Sequence, residues 1–297
     1  MTETLNTAFR DQIKTALSLS KVDTVITEEN VYQEGNADIL SIMDDMVKTL
    51  ILPGSGIDGM ENIEDLFTKA KAGKPCLLLM EHYSNMDLSV LFTLLEMAGG
   101  RGNEIRNSII AISGMKLNED SPVVAAFASA YTRIVIYPSR SLQELDPDKY
   151  KVELARSNAI NRAALKSLIR HKYKGNLVLV FPSGTRYRPW DPETKKGLRE
   201  IDSYIRSFDY MCFVSLNGET LHVQETDMMN DAISEDIVRL TIGPVTDCSD
   251  FRNKVINNLD TTDTASEDKK QAVADAIMNE LEKMHIAAEE KRRKLPK

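Results

Sequence analysis

The chain has 297 residues, 42% of them hydrophobic and 28% charged, which excludes disorder, collagen-like repeats and low complexity as descriptions of the whole. That length suits one large α/β domain or one with a small helical companion, and no apolar run approaches the about 18 residues needed to cross a bilayer. The net charge of −8 is uneven: residues 1–70 hold 13 acidic and 5 basic side chains, whereas the remainder holds 32 of each.

Before the composition break near residue 70 the pattern is helical. Phe9, Ile13, Ala16 and Leu17 recur at helical spacing, as do Ile39, Ile42, Met43, Met46 and Leu50. Pro53-Gly54-Ser55-Gly56 stops the second helix, and 61–72 reads as a third, with Ile63, Leu66, Phe67 and Ala70 on one side. These helices are too few to bury a core alone and are expected to pack on the remainder of the chain. The first 21 residues include Glu3 and Asp11 and lack a compact apolar stretch, which argues against a signal or transit peptide.

From Pro75 the texture changes to strand-length apolar runs at 76–80, 108–112, 133–137, 176–181, 211–216 and 238–242. Helical stretches are predicted between and after them at 87–97, 121–130, 149–171, 198–207 and 267–291. Apolar runs separated by helices describe an α/β fold, with a mostly parallel or mixed sheet covered by helices on both faces. The expected division is a small helical N-terminal domain, 1–72, and an α/β domain, 73–297. Cys76, Cys212 and Cys248 read as reduced core thiols, so the expected location is the cytoplasm, with at most peripheral membrane contact. The basic tail 291–294 reads as a helix C-terminus stabilised by its macrodipole.

Ligands of open α/β sheets bind at the carboxyl ends of strands, and two such ends here are polar. The first is Glu81-His82-Tyr83-Ser84-Asn85-Met86-Asp87. Ser84 or Asn85 can cap the next helix, leaving His82 on the loop and Asp87 in the first helical turn. A carboxylate that accepts one imidazole N–H fixes the tautomer and leaves the other nitrogen to take a proton from a hydroxyl. Taken singly, His82 also reads as a surface loop residue and Asp87 as a helix-start carboxylate. His171, His222 and His285 have no comparable setting and read as structural or exposed.

The second polar end is Phe181-Pro182-Ser183-Gly184-Thr185-Arg186-Tyr187-Arg188-Pro189. Gly184 permits a tight turn near a ligand, and Arg186 and Arg188 offer forked donors suited to phosphate. A charged loop clipped by prolines is the plainer reading. Arg140 lies beyond the 133–137 run, at the same edge of the sheet, and is a third phosphate candidate or an ordinary surface arginine. Residues 170–199 carry eight basic and two acidic side chains, a local +6 that suggests an anionic ligand or a solvated face.

His82 to Asp87 is an H-x4-D pattern after a buried run, and F-P-S-G-T-R comes after another about a hundred residues later. Together they resemble the glycerolipid acyltransferases over about 75–218, and Ser183 to Pro189 looks most like the soluble, plastid-type glycerol-3-phosphate acyltransferases. The resemblance implies transfer of a fatty acyl group from an acyl carrier protein or coenzyme A thioester to the sn-1 hydroxyl of glycerol 3-phosphate. It implies His82 as general base, Asp87 as its orienting carboxylate, and Arg186 and Arg188 with Arg140 on the phosphate. Ser183, Gly184 and Thr185 form the turn beside them. No metal, cofactor or nucleic acid is expected. Lysophosphatidate is the alternative acceptor, and a non-catalytic lipid or acyl-carrier binding protein the alternative of another class. Ser183 replaces the glutamate of the membrane-bound branch, and Ser215 stands where many members have proline.

Overall fold

The computed structural model describes residues 3–23, 25–119, 121–143, 145–226, 228–259 and 266–296. Its strands are β1 Tyr32–Gln33, β2 Gly56–Asp58, β3 Cys76–Met80, β4 Ile109–Gly114, β5 Arg133–Ile136, β6 Leu177–Val180, β7 Tyr210–Asn217, β8 Leu221–His222, β9 Ala232–Ile233, β10 Arg239–Ile242 and β11 Thr246–Asp247. Nine of them form one sheet in the order β1-β5-β4-β6-β3-β7-β10-β2, with β11 also on β7; β8 and β9 form a separate pair. The middle five run parallel. Direction reverses at β1 on one side and between β7 and β10 on the other.

Burial explains why the middle strands are legible as apolar runs. Every residue of β3 and of β6 is buried, because helices cover both faces of the sheet. On one face, Leu78, Met80, Leu177 and Val214 pack with helices α2 (Arg10–Leu19), α3 (Ala37–Leu50), α4 (Met60–Lys71) and α5 (Asp87–Ala98), the short α1 being Leu5–Ala8. The chain then continues through α6 (Gly102–Ser108), α7 (Lys116–Glu119), α8 (Pro122–Ala128) and α9 (Arg140–Gln143). On the other face, Leu77, Leu79, Val178 and Phe213 meet α10 (Pro147–His171), α11 (Ile201–Ile205), α12 (Cys248–Asn257) and α13 (Ser266–Arg292).

The first 70 residues are not purely helical. β1 and β2 lie within them and form the two outer strands of the sheet, and Ile13, Ile39 and Ile63 share one core with β3 and β6. At two and three residues these strands are too short for a period of two to show, and their pairing is to β5 and β10, far along the chain. All three cysteines are buried and unbridged; burial pushes the Cys76 and Cys212 thiols up to about 12.

Polar side chains tie distant elements together at two places. Asn161 of α10 clamps the backbone of Tyr137, accepting its N–H at 2.9 Å and donating to its carbonyl at 3.0 Å. At the end of α13, Arg292 bonds Glu289 and Asp236, and Arg293 just beyond it bonds Glu289, so part of the basic tail is neutralised inside the fold. Among the described residues no helix is long and apolar enough to cross a membrane.

Candidate active site

β3 and β6 are parallel neighbours in the register Leu79↔Val180, so the loops after them leave the sheet side by side. The Tyr187 N–H donates to the His82 carbonyl at 2.8 Å, and the Phe181 ring stacks on the imidazole with centroids 4.0 Å apart. The two motifs, a hundred residues apart in sequence, thus meet at His82.

Asp87 opens α5 and is 2% exposed. Its Oδ2 accepts from His82 Nδ1 at 2.9 Å, the Tyr83 N–H at 2.5 Å and the Ser84 N–H at 2.9 Å. Its Oδ1 accepts from the Ser84 hydroxyl at 2.7 Å. A carboxylate surrounded by donors fixes the proton of His82 on Nδ1 and leaves the lone pair on Nε2, which has no hydrogen-bond partner among the described residues.

His82 also lines a cavity of about 220 Å³, walled mainly by apolar side chains such as Leu88, Ile112, Val124, Phe127, Ile136 and Val180. Of the helix 87–97, only Leu88 and Ser89 reach this wall, while Val90, Leu91, Leu94 and Leu95 belong to the core. Arg133 of β5 touches the cavity as well. It is 2% exposed and has no carboxylate partner among the described residues, so burial pulls its guanidinium down to about 10. It donates instead to the Ala128 carbonyl and to Asn118.

In the second loop the Gly184 N–H donates to the Phe181 carbonyl at 2.9 Å, closing a turn in which Gly184 has φ +65°. A Cβ there would lie 2.3 Å from Leu198 Cδ1 and would make that side chain turn aside, while the left-handed backbone itself favours glycine. The buried Ser183 hydroxyl donates to the Thr185 carbonyl at 2.7 Å. Arg186 Nη1 donates to Asp231 Oδ2 at 2.8 Å, a carboxylate with no exposure. Arg188 is half-buried, and its guanidinium has no ion-pair partner among the described residues. Arg140 is exposed on α9, two residues beyond the cavity-lining Pro138, after β5, which β4 separates from β6 and the Arg186–Arg188 loop. Half of the local +6 of 170–199 is offset from outside the segment: Lys195, Arg199 and Arg186 pair with Glu282, Glu267 and Asp231.

The family model described as Acyltransferase matches residues 56–229, more than half of the chain and inclusive of both loops. The chain belongs to the acyltransferase family. A solved structure similar to it is that of the 1-acyl-sn-glycerophosphate (LPA) acyltransferase PlsC from Thermotoga maritima. The likeness has 15% identity and a TM-score of 0.43, covering 93% of this chain and 88% of that one. No curated protein matches the chain.

This acyltransferase has a second carboxylate beside its histidine, and sequence reasoning missed it. Glu81 is 5% exposed and accepts from the Leu216 N–H at 2.8 Å, the Tyr83 hydroxyl at 2.9 Å and His285 Nδ1 at 3.0 Å. Burial pulls the His285 pKa down, but the hydrogen bond and charge of Glu81 outweigh it and hold the imidazole above its ordinary value. Burial and Glu81 push Tyr83 strongly up, so it stays a donor. The His82 loop is thereby held between Asp87 on one side and Glu81 with His285 of α13 on the other. No local pattern could have revealed His285, since it lies 204 positions from Glu81.

Proposed function

We propose that this acyltransferase moves a fatty acyl group from an acyl carrier protein or coenzyme A thioester to the sn-1 hydroxyl of glycerol 3-phosphate, giving lysophosphatidate. The observation that carries the reading is the His82–Asp87 pair at the wall of an apolar cavity, which sets a proton acceptor next to space suited to an acyl chain. The chain of the donor enters the cavity and brings its thioester carbonyl to His82.

His82 Nε2 takes the proton of the acceptor hydroxyl as that oxygen bonds to the thioester carbon. The tetrahedral intermediate collapses, the carbon–sulfur bond breaks, and the thiolate leaves with the proton returned by His82. Asp87 holds the tautomer and faces the transient imidazolium. Arg186 and Arg188 hold the phosphate from the loop tied to the His82 carbonyl, with Arg140 as a third cation from beyond the end of β5, two strands away from β6. Arg186 spends one donor on Asp231 and keeps four others. Ser183, Gly184 and Thr185 shape the turn that presents them.

The test is thiol release from acyl carrier protein and coenzyme A thioesters with glycerol 3-phosphate or lysophosphatidate as acceptor, in wild type and His82→Ala. Release that requires glycerol 3-phosphate and is lost in the variant supports the assignment and names the donor. Release with lysophosphatidate alone replaces the acceptor by that lipid. Release that survives His82→Ala refutes the mechanism.

A further inference from the structure

Helix α10 keeps one face for the core and leaves the opposite face uncovered. Ile160, Ala164 and Leu168 are buried, whereas Leu165, Ile169 and Tyr173 are 54%, 49% and 55% exposed. Positions four apart lie on one stripe of a helix, so these three side chains make an apolar row along α10 and just past its end. Arg162, Lys166 and Arg170, all exposed, repeat the same spacing and make a cationic row beside it, continued by Lys174. None of these four cations has a carboxylate partner among the described residues.

Composition agrees with this geometry. Residues 154–174 contain six lysines and arginines and no acidic side chain, in a chain of net charge −8. Glu28 and Glu29 line a groove shared with Arg162, Lys166 and Arg170, and they are the acidic side chains of that groove. A solvated face would explain the cations but not three large apolar side chains held in water between them. An acidic carrier protein would meet the cations yet leave the convex apolar row without a matching pocket. An anionic lipid surface uses both rows, the apolar one at the headgroup–acyl boundary and the cationic one on the phosphates.

We propose that α10 docks this enzyme on anionic phospholipid membranes, lying in the plane of the interface. Leu165, Ile169 and Tyr173 enter the boundary, and Arg162, Lys166, Arg170 and Lys174 meet lipid phosphates. The docking face starts beside the cavity: Asn161 precedes Arg162 and clamps Tyr137, whose neighbours Ile136 and Pro138 both line the cavity wall. From there the two rows run away from the cavity towards the amino ends of the strands, where Tyr173 lies beside Gly73 and Lys174 precedes β6. Docking of this kind does not depend on which acceptor is used, and testing it needs no turnover.

The full chain is sedimented with phosphatidylcholine vesicles and with vesicles containing phosphatidylglycerol, at low and high salt. Wild type is expected to pellet with the anionic vesicles at low salt and to stay in solution with the neutral ones. Each cation removed should weaken binding about fivefold, so Lys166→Glu with Arg170→Glu should weaken it by more than about 25-fold. Ile169→Ser should weaken it by about tenfold through the lost apolar contact. These side chains are exposed, and unchanged circular dichroism and urea midpoints verify that the variants fold. The proposal is overturned if wild type ignores anionic vesicles, or if the variants bind as wild type does. It is equally overturned if the variants instead split a dimer of this chain or abolish capture of acyl carrier protein while wild type shows no vesicle binding.

Discussion

Asp87→Asn keeps the size of the side chain and removes the carboxylate, and the geometry decides which way the new amide turns. Oδ2 faces three donors, from His82, Tyr83 and Ser84, whereas Oδ1 faces the Ser84 N–H at 3.0 Å and a hydroxyl that can rotate. An amide nitrogen is therefore better placed at the Oδ1 position, which keeps an oxygen on His82 Nδ1 and preserves the tautomer. A positioned base is worth about 10²–10⁴-fold in rate; with the tautomer kept, Asp87→Asn should lose about 10² in kcat, while His82→Ala loses about 10⁴. The Ser84 N–H keeps Oδ2 at 2.9 Å and loses only its shared bond to Oδ1, so the stability loss should be about 1 kcal/mol. Thiol release at saturating substrates gives kcat, and urea unfolding gives the stability change. Unchanged kcat in either variant would refute the general-base reasoning, and a kcat for Asp87→Asn as low as that of His82→Ala would refute the orientation argument.

The other expectations concern the phosphate, the second carboxylate and the turn. Arg188→Ala should raise KM for glycerol 3-phosphate about ten- to a hundredfold with little change in kcat, as for loss of one or two charge-assisted bonds; initial-rate kinetics read this directly. Arg186→Ala should also cost about 1.5–3 kcal/mol of stability, because it removes a charge-assisted bond to the buried Asp231, which keeps the Gln224 N–H, and Asp231→Asn should restore part of that loss in urea. His285 has a raised pKa when folded, so its contribution is fully present below the ordinary imidazole pKa and is lost as pH rises through the raised value. His285→Ala should flatten the fall of stability across that window, measured as urea midpoints against pH. Gly184→Ala should destabilise by about 1–2 kcal/mol, since the left-handed backbone opposes a Cβ; thermal unfolding would register it.

Range in the chain decides how much was legible in the sequence. β3, β6 and β7 announce themselves because both faces are buried, and the His82–Asp87 pair because five residues span a loop and the first turn of a helix. Part of the positive charge of 170–199 is offset from afar: Glu267 and Glu282, which neutralise Arg199 and Lys195, lie on α13, about seventy or more positions away. Asp231 stands 45 positions from Arg186, beyond any spacing rule. β1 and β2 owe their existence to the strands they pair with, not to a pattern of their own. Glycine at 184 is readable as a turn, but its approach to Leu198 is not.

The bond between Glu81 and His285 has a consequence in time. A contact between residues 204 positions apart forms only after α13 has come to rest on β7, and contacts of such sequence separation form late in folding. The loop that carries His82 is set by that event. A chain refolding from denaturant should therefore regain its helical signal before its acyl-transfer rate, passing through a state that has a sheet, a cavity and a histidine but no working alignment among them.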